Sequence, residues 1–301
     1  MVLIRSLAAG AVAGALLAAC GGGGSKAASA GGQARVVAAF YPLAEAARRV
    51  GGVHVQVEDL TPAGAEPHDL ELRPSQVDDI RKADVVVIMG SGFQPSVERA
   101  AHRRPGSRGV LEVLPAVLGD EGRHEGVDPH VWLDPVLMEL TIDKVKAALA
   151  AVVSASTKPD LEANASQYRD QAAALDGRYR AGLAQCARKE IVTTHEAFGR
   201  LAARYGLTQA AIAGMSPEAE PTPARIAELA DLVRTHGVTT IFTEELVSPR
   251  VARALAREAH VRTDVLSPIE GLTSAERKAG DNYVSLMDRN LGRLRAALGC
   301  A

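Results

Sequence analysis

Three of the 8 histidines sit where a chain turns away from a strand or through a proline-rich loop, and imidazoles so placed can hold a metal ion. His68 lies in Pro62-Ala-Gly-Ala-Glu-Pro-His-Asp69, His130 lies in Asp128-Pro-His-Val-Trp-Leu-Asp134, and His195 directly follows the apolar run Ile191-Val-Thr-Thr194. Three neutral imidazoles meeting from separate loops would favour a borderline transition metal such as Zn2+ over Ca2+ or Mg2+, which prefer oxygen. His54, His102, His236 and His260 stand among Arg, Gly or Thr near helix ends and turns, where a surface imidazole is unremarkable. Spacing alone does not bring the first three together; the elements that carry them must.

Short β-branched runs alternate with helical patterns. Strands are expected over 35–40, 53–60, 84–90 and 109–113, with helices over 42–50 and 74–83 between them. The pattern returns with strands over 190–194, 209–213, 238–243 and 263–266, separated by helices over 196–205, 222–236 and 249–259. Asp84-Val-Val-Val-Ile-Met-Gly90 is apolar throughout, as a strand covered on both faces must be. The expected fold class is α/β, with two Rossmann-like lobes of parallel sheet and a helical connection over 136–185. From Pro159 the chain can form one helix of about 40 Å, at about 1.5 Å per residue. Ligands of open parallel sheets bind beyond the carboxyl ends of the strands. Two lobes facing each other bring both sets of loops to one cleft, across which His68 and His130 can face His195.

Composition narrows the classes of function. With 34 Lys+Arg against 36 Asp+Glu there is no basic surplus for a nucleic-acid backbone, and 3% aromatic residues argue against a stacked-ring surface. Residues 1–19 combine Arg5 with an apolar run too short to span a bilayer, which is the pattern of a signal peptide. The run ends Leu17-Ala18-Ala19-Cys20 before a Gly-rich stretch, which looks like a lipobox with Cys20 lipidated and residues 20–33 forming a flexible tether. The lobes would then occupy 34–158 and 186–301, with the linking helix over 159–185. Outside the cell disulfides persist, and Cys186 and Cys300 are the remaining pair, the alternative being two unrelated buried thiols.

Five segments resemble one family in order along the chain: Val36-Val-Ala-Ala-Phe-Tyr-Pro-Leu43, Gly64-Ala-Glu-Pro-His-Asp-Leu-Glu71, Asp128-Pro-His-Val-Trp-Leu-Asp-Pro135, Thr194-His-Glu-Ala-Phe-Gly199 and Gly214-Met-Ser-Pro-Glu-Ala-Glu-Pro221. They are similar to the zinc- and manganese-binding lipoproteins of bacterial ABC importers. The resemblance implies two α/β lobes joined by a long helix, with His68, His130 and His195 as metal ligands in the cleft. It also implies an importer permease as partner, attachment to the cell membrane through a lipid anchor, and a monomer. A histidine at 195, where manganese-selective relatives carry a carboxylate, tilts the expectation toward zinc.

The sequence departs from the family where a fourth ligand, an Asp, is usual: the stretch reads Val265-Leu-Ser-Pro-Ile-Glu-Gly271, with Ser267 in its place. Either water fills the fourth position or a nearby acid reaches it, with Glu244 the expected donor and Glu270 behind it. Glu244 can equally orient an imidazole through its second ring nitrogen, as can Glu66 or Asp69, while Glu196 can be a first-turn helix charge. The loop Leu118-Gly-Asp-Glu-Gly-Arg-His-Glu-Gly126 holds one histidine, His124, and reads as surface. Glu218 and Glu220 fall in a proline-containing loop suited to a mobile cover or a permease-facing surface.

The expected function is extracytoplasmic capture of Zn2+ for an ABC importer, with no catalysis. Manganese, alone or with zinc, is the alternative cargo. A zinc-dependent hydrolase is the reading from another class, because three histidines and a water also activate water.

Overall fold

The computed structural model describes residues 32–105 and 109–301; the expected signal peptide, Cys20 and most of the expected tether lie outside them. The N-terminal lobe runs β1 (Ala34–Ala38), α1 (Tyr41–Gly51), β2 (Val55–Asp59), α2 (Pro74–Lys82), β3 (Val85–Ile88), α3 (Pro95–His102), β4 (Val110–Glu112) and α4 (Val113–Leu118). Two helices connect the halves, α5 (Pro135–Ala150) and α6 (Lys158–Leu183). The second lobe runs β5 (Glu190–Thr193), α7 (Gly199–Tyr205), β6 (Thr208–Ala211), α8 (Pro223–Thr235), β7 (Thr240–Thr243), α9 (Arg250–Glu258), β8 (Arg262–Val265), α10 (Ser274–Ala279) and α11 (Tyr283–Leu298).

Each lobe holds a four-stranded sheet, ordered β2-β1-β3-β4 and β6-β5-β7-β8, with every pairing parallel. The chain therefore changes side between β1 and β3, and again between β5 and β7, which opens a crevice at the carboxyl ends of those strands. All four residues of β3 are buried, as its apolar run requires. Proline sits in the first two positions of α1, α2, α3, α5, α6 and α8, where its missing N–H costs nothing. Entry into β4 requires Gly109: its φ is +70°, and a Cβ there would stand 2.2 Å from the Asp84 carbonyl oxygen.

The 26 residues of α6 extend about 39 Å, at about 1.5 Å per residue. Its buried face carries Leu161, Ala165, Tyr168, Ala172, Leu175, Tyr179 and Leu183, a helical stripe packed against α1, α5 and α11. One apolar core passes from β1 and α1 through this helix to Leu201, Phe242, Leu266 and Leu286, so both lobes share it. A smaller core around Val192, Leu229, Ile241 and Leu255 belongs to the second lobe alone. Polar ties reinforce the junction: Arg204 on α7 donates to Asp134 at 2.9 and 3.0 Å, and the Gly64 N–H donates to the Leu272 carbonyl at 3.1 Å.

The expected disulfide is present, closing Cys186 to Cys300 across 114 residues. The main differences from the sequence expectation lie at the site and the C-terminus. α7 begins at Gly199 rather than at residue 196, because the Glu196 N–H is used by the Gly214 carbonyl in the turn that carries His195. α10 and α11 are not anticipated from sequence; both open with a capping box, at Thr273 with Glu276 and at Asn282 with Ser285. Among the described residues no helix is long and apolar enough to cross a membrane.

Candidate metal centre

His195 follows the end of β5, and Glu244 follows the end of β7, its neighbour across the switch point. One oxygen of Glu244, Oε1, accepts from both the backbone N–H of His195 at 3.2 Å and its ring Nδ1 at 2.8 Å. His130 is held the same way, since Asp128 Oδ1 accepts from the His130 N–H at 3.0 Å and from its Nδ1 at 2.8 Å. A carboxylate on Nδ1 keeps the proton there and turns the Nε2 lone pair inward. Gly199 leaves room for Asp128, because a Cβ would lie 3.0 Å from its Oδ2. Arg200 fixes the same residue by donating to its carbonyl oxygen at 2.9 Å.

His68 rides on the loop after β2. Its backbone N–H donates to Glu66 Oε1 at 3.0 Å, and Gln94 donates to the Pro67 carbonyl at 3.0 Å. Beneath the imidazoles lies an aromatic floor: the His68 ring is 4.5 Å from Phe93, and the His130 ring is 5.1 Å from Trp132. Water is thereby excluded from below, which strengthens every charge interaction above it.

The fourth group is Glu270. Its Oε1 is 3.2 Å from His68 Nε2, 3.3 Å from His130 Nε2 and 3.6 Å from His195 Nε2. His68, His130, His195 and Glu270 offer donor atoms that all lie within 4.8 Å of one another. The Nε2 atoms of His130 and His195 and the second oxygen of Glu270 are buried without an aligned hydrogen-bond partner. Buried polar atoms are rarely left so unless something else satisfies them. Four donors at bonds of about 2.0–2.1 Å around a tetrahedral zinc stand about 3.3 Å apart, which fits these separations.

The structure places Glu244, the expected fourth donor, on His195 Nδ1 and outside the cluster of converging donor atoms, which is the position of the orienting role weighed beside it. Its strand ends next to β5, so its carboxylate meets the outer edge of His195 rather than the inner one. Glu270 reaches the cleft from the loop after β8, three residues beyond Ser267. The Ser267 hydroxyl instead accepts from the Ile269 N–H at 3.3 Å. Asp69 and Glu196 are exposed, as are His124, Glu218 and Glu220. Three of the remaining histidines pair with surface carboxylates: His54 with Asp160, His102 with Glu112 and His236 with Glu190. The role of Asp128 was missed in the sequence, although an Asp two residues before a histidine is a ready acceptor for its backbone N–H.

The carboxylates set the protonation of the cluster. Burial pulls His195 down, but Glu244 and Glu270 outweigh it and push the imidazole up to about 10. Burial likewise opposes the charged form of His130, and Asp128 with Glu270 leaves it raised. Burial would raise Glu270, yet His130, His195 and His68 hold it well below the usual carboxylate range. Glu66 goes the other way: burial, and then the charge of Glu270, push it up to about 8. The carboxylates thus favour the charged forms of His195 and His130, and the imidazoles favour the charged form of Glu270.

Compared with known families, residues 36–297 match the zinc-uptake complex component A, periplasmic, called ZnuA. The chain belongs to the ZnuA family. Zinc-binding lipoprotein AdcA of Streptococcus pneumoniae serotype 4 is 38% identical over 275 residues, covering 86% of this chain and 55% of AdcA. The chain thus spans about half the length of the AdcA relatives it matches. The high-affinity zinc uptake system protein ZnuA of Bacillus subtilis is 34% identical over 279 residues and covers 87% of each chain. The crystal structure of the Zn(II)-bound ZnuA-like domain of S. pneumoniae AdcA superposes with a TM-score of 0.76 at 36% identity, covering 89% of this chain and 99% of that one. The ZnuA fold extends to the Treponema pallidum protein TroA, with a TM-score of 0.80 at 24% identity.

Proposed function

We propose that this ZnuA-family chain captures Zn2+ outside the cytoplasmic membrane and delivers it to the permease of an ABC importer, with His68, His130, His195 and Glu270 as the metal donors. The observation that carries this is the convergence of three imidazole Nε2 atoms on one carboxylate oxygen at 3.2–3.6 Å, in a buried pocket. Asp128 and Glu244 orient two of the rings. Attachment through a lipid on Cys20 fits the leader pattern and the naming of relatives as lipoproteins.

Capture exchanges protons for metal. Zn2+ takes the Nε2 lone pairs, the imidazolium protons leave, and the Glu270 carboxylate turns from an acceptor of hydrogen bonds into a donor of electrons to the ion. The shared core and the α6 strut favour adjustment of the cleft loops over a wide swing of one lobe.

Four protein donors argue against the hydrolase reading, because a catalytic zinc keeps one position for water. They argue against manganese as well, since Mn2+ favours oxygen-rich, six-coordinate sites. The test is to strip the mature chain, load it at equal free Zn2+ and Mn2+, and measure bound metal. One zinc per chain with little manganese is expected; a manganese-loaded chain would sink the assignment of cargo.

A further inference from the structure

Ile269, the residue before Glu270, has a φ of +57°, which β-branched side chains almost never adopt. A conformation of that kind persists only where its surroundings impose it. Three anchors do so within the preceding residues. Asn290, fully buried on α11, grips Ser267 from both sides, donating through Nδ2 to the Ser267 carbonyl at 2.7 Å and accepting from the Ser267 N–H through Oδ1 at 3.0 Å. The Ser267 hydroxyl accepts from the Ile269 N–H at 3.3 Å. Trp132 donates from Nε1 to the Pro268 carbonyl at 2.7 Å across the lobes.

Trp132 is itself fixed, since its carbonyl accepts from the Tyr283 hydroxyl at 2.7 Å. It also lies two residues after His130, so one side chain ties the turn bearing one donor to the loop bearing another. Asn290 and Tyr283 share α11, which packs on α6. None of these polar contacts reaches the imidazole–carboxylate cluster itself, yet all converge on the four residues that end in Glu270.

We infer that Asn290 and Trp132 are positioning residues for metal capture: they hold the Ser267–Gly271 loop in its strained form, and so set the Glu270 carboxylate before the ion arrives. This rests on the reading of Glu270 as a metal donor. A carboxylate on a relaxed loop would have to be ordered at each binding event, which weakens the site and speeds release. Loss of a group that orients a metal ligand commonly costs 10–100-fold in affinity, and a loss of about that size is expected here.

The experiment is a double-mutant cycle on the mature chain, with Zn2+ affinity read by competition against a chromophoric chelator and Co2+ visible absorption as a second readout. Asn290→Ala should weaken zinc about 10–100-fold in the native background and weaken the tetrahedral Co2+ bands, yet change little in a Glu270→Gln background. An equal loss in both backgrounds, or none in either, overturns the inference. A Glu270→Gln chain that binds zinc as tightly as the native one refutes Glu270 as a donor and the inference with it, a failure visible from the single variant alone. Should Asn290→Ala not fold, Trp132→Phe removes the Nε1 donor together with part of the ring, and the same cycle is read on it with the same outcomes.

Discussion

Glu244 Oε1 holds His195 at two points, the backbone N–H at 3.2 Å and ring Nδ1 at 2.8 Å, so one carboxylate oxygen fixes both the position and the tautomer of the ring. Removing its charge while keeping its shape isolates that role. Glu244→Gln should lower zinc affinity about 10–100-fold, and Asp128→Asn should do the same through His130. His195→Ala, which deletes a donor, should cost more than either, whereas His124→Ala on the surface should leave the titration unchanged. Chelator competition on the four variants checks the order.

The pH dependence follows from the raised His195 and His130. Ordinary imidazoles would let zinc affinity level off just above pH 6.5, near the free histidine value. With His195 pushed up to about 10, zinc still displaces a proton at neutral pH, and affinity should keep rising from pH 6.5 toward 9. For the metal-free fold the sign is opposite: a group raised on folding stabilises fully below its unfolded value, and that contribution fades as pH climbs from about 6.5 through 10. Affinity measured at fixed zinc buffering, and melting of the stripped chain across the same range, should move in opposite directions.

Much of this site was legible in the sequence, and the parts that were not share a physical cause. His68, His130 and His195 each lie within a few residues of a strand end or a proline turn, so local pattern and the parallel topology offer them a common cleft, while the choice of these three comes from the resemblance of their motifs to the family. Glu270 was ranked behind Glu244 because both follow strands, and only the lateral adjacency of β5 and β7 reveals that Glu244 meets the outer edge of the imidazole. The grip of Asn290 on Ser267 spans 23 residues and a helix–loop contact, which no periodicity encodes.

Zinc should stabilise the chain by mass action. At free zinc 100 times the dissociation constant the gain is about 2.7 kcal/mol, for a metal that binds only the folded form. Melting with zinc and with chelator should differ accordingly, and the difference should shrink in His130→Ala.

The Cys186–Cys300 bond closes 114 residues and ties the C-terminus beside the start of β5. In the chain-entropy account such a loop contributes about 4–5 kcal/mol. Cys300→Ser should lower the melting temperature by roughly 10 °C or more, at about 2–4 °C per kcal/mol for domains approaching this size. Zinc stoichiometry should remain at one, because the bond lies away from the cluster.

Asp134 is 3% exposed, caps α5 by accepting from Val136 and Leu137 N–H groups, and takes Arg204 from the other lobe. Asp134→Ala should destabilise the chain by about 2–3 kcal/mol, of which about 1 is the helix cap and the rest the stranded arginine and lost lobe contact. Denaturant unfolding of the metal-free chain checks it.

The most direct test is a crystal structure of the zinc-loaded chain with the metal located by its anomalous signal. One ion bonded at about 2.0–2.2 Å to Nε2 of His68, His130 and His195 and to a Glu270 oxygen is the expected result. An ion bonded to Glu244 in place of Glu270, or lying outside the three imidazoles, would contradict it.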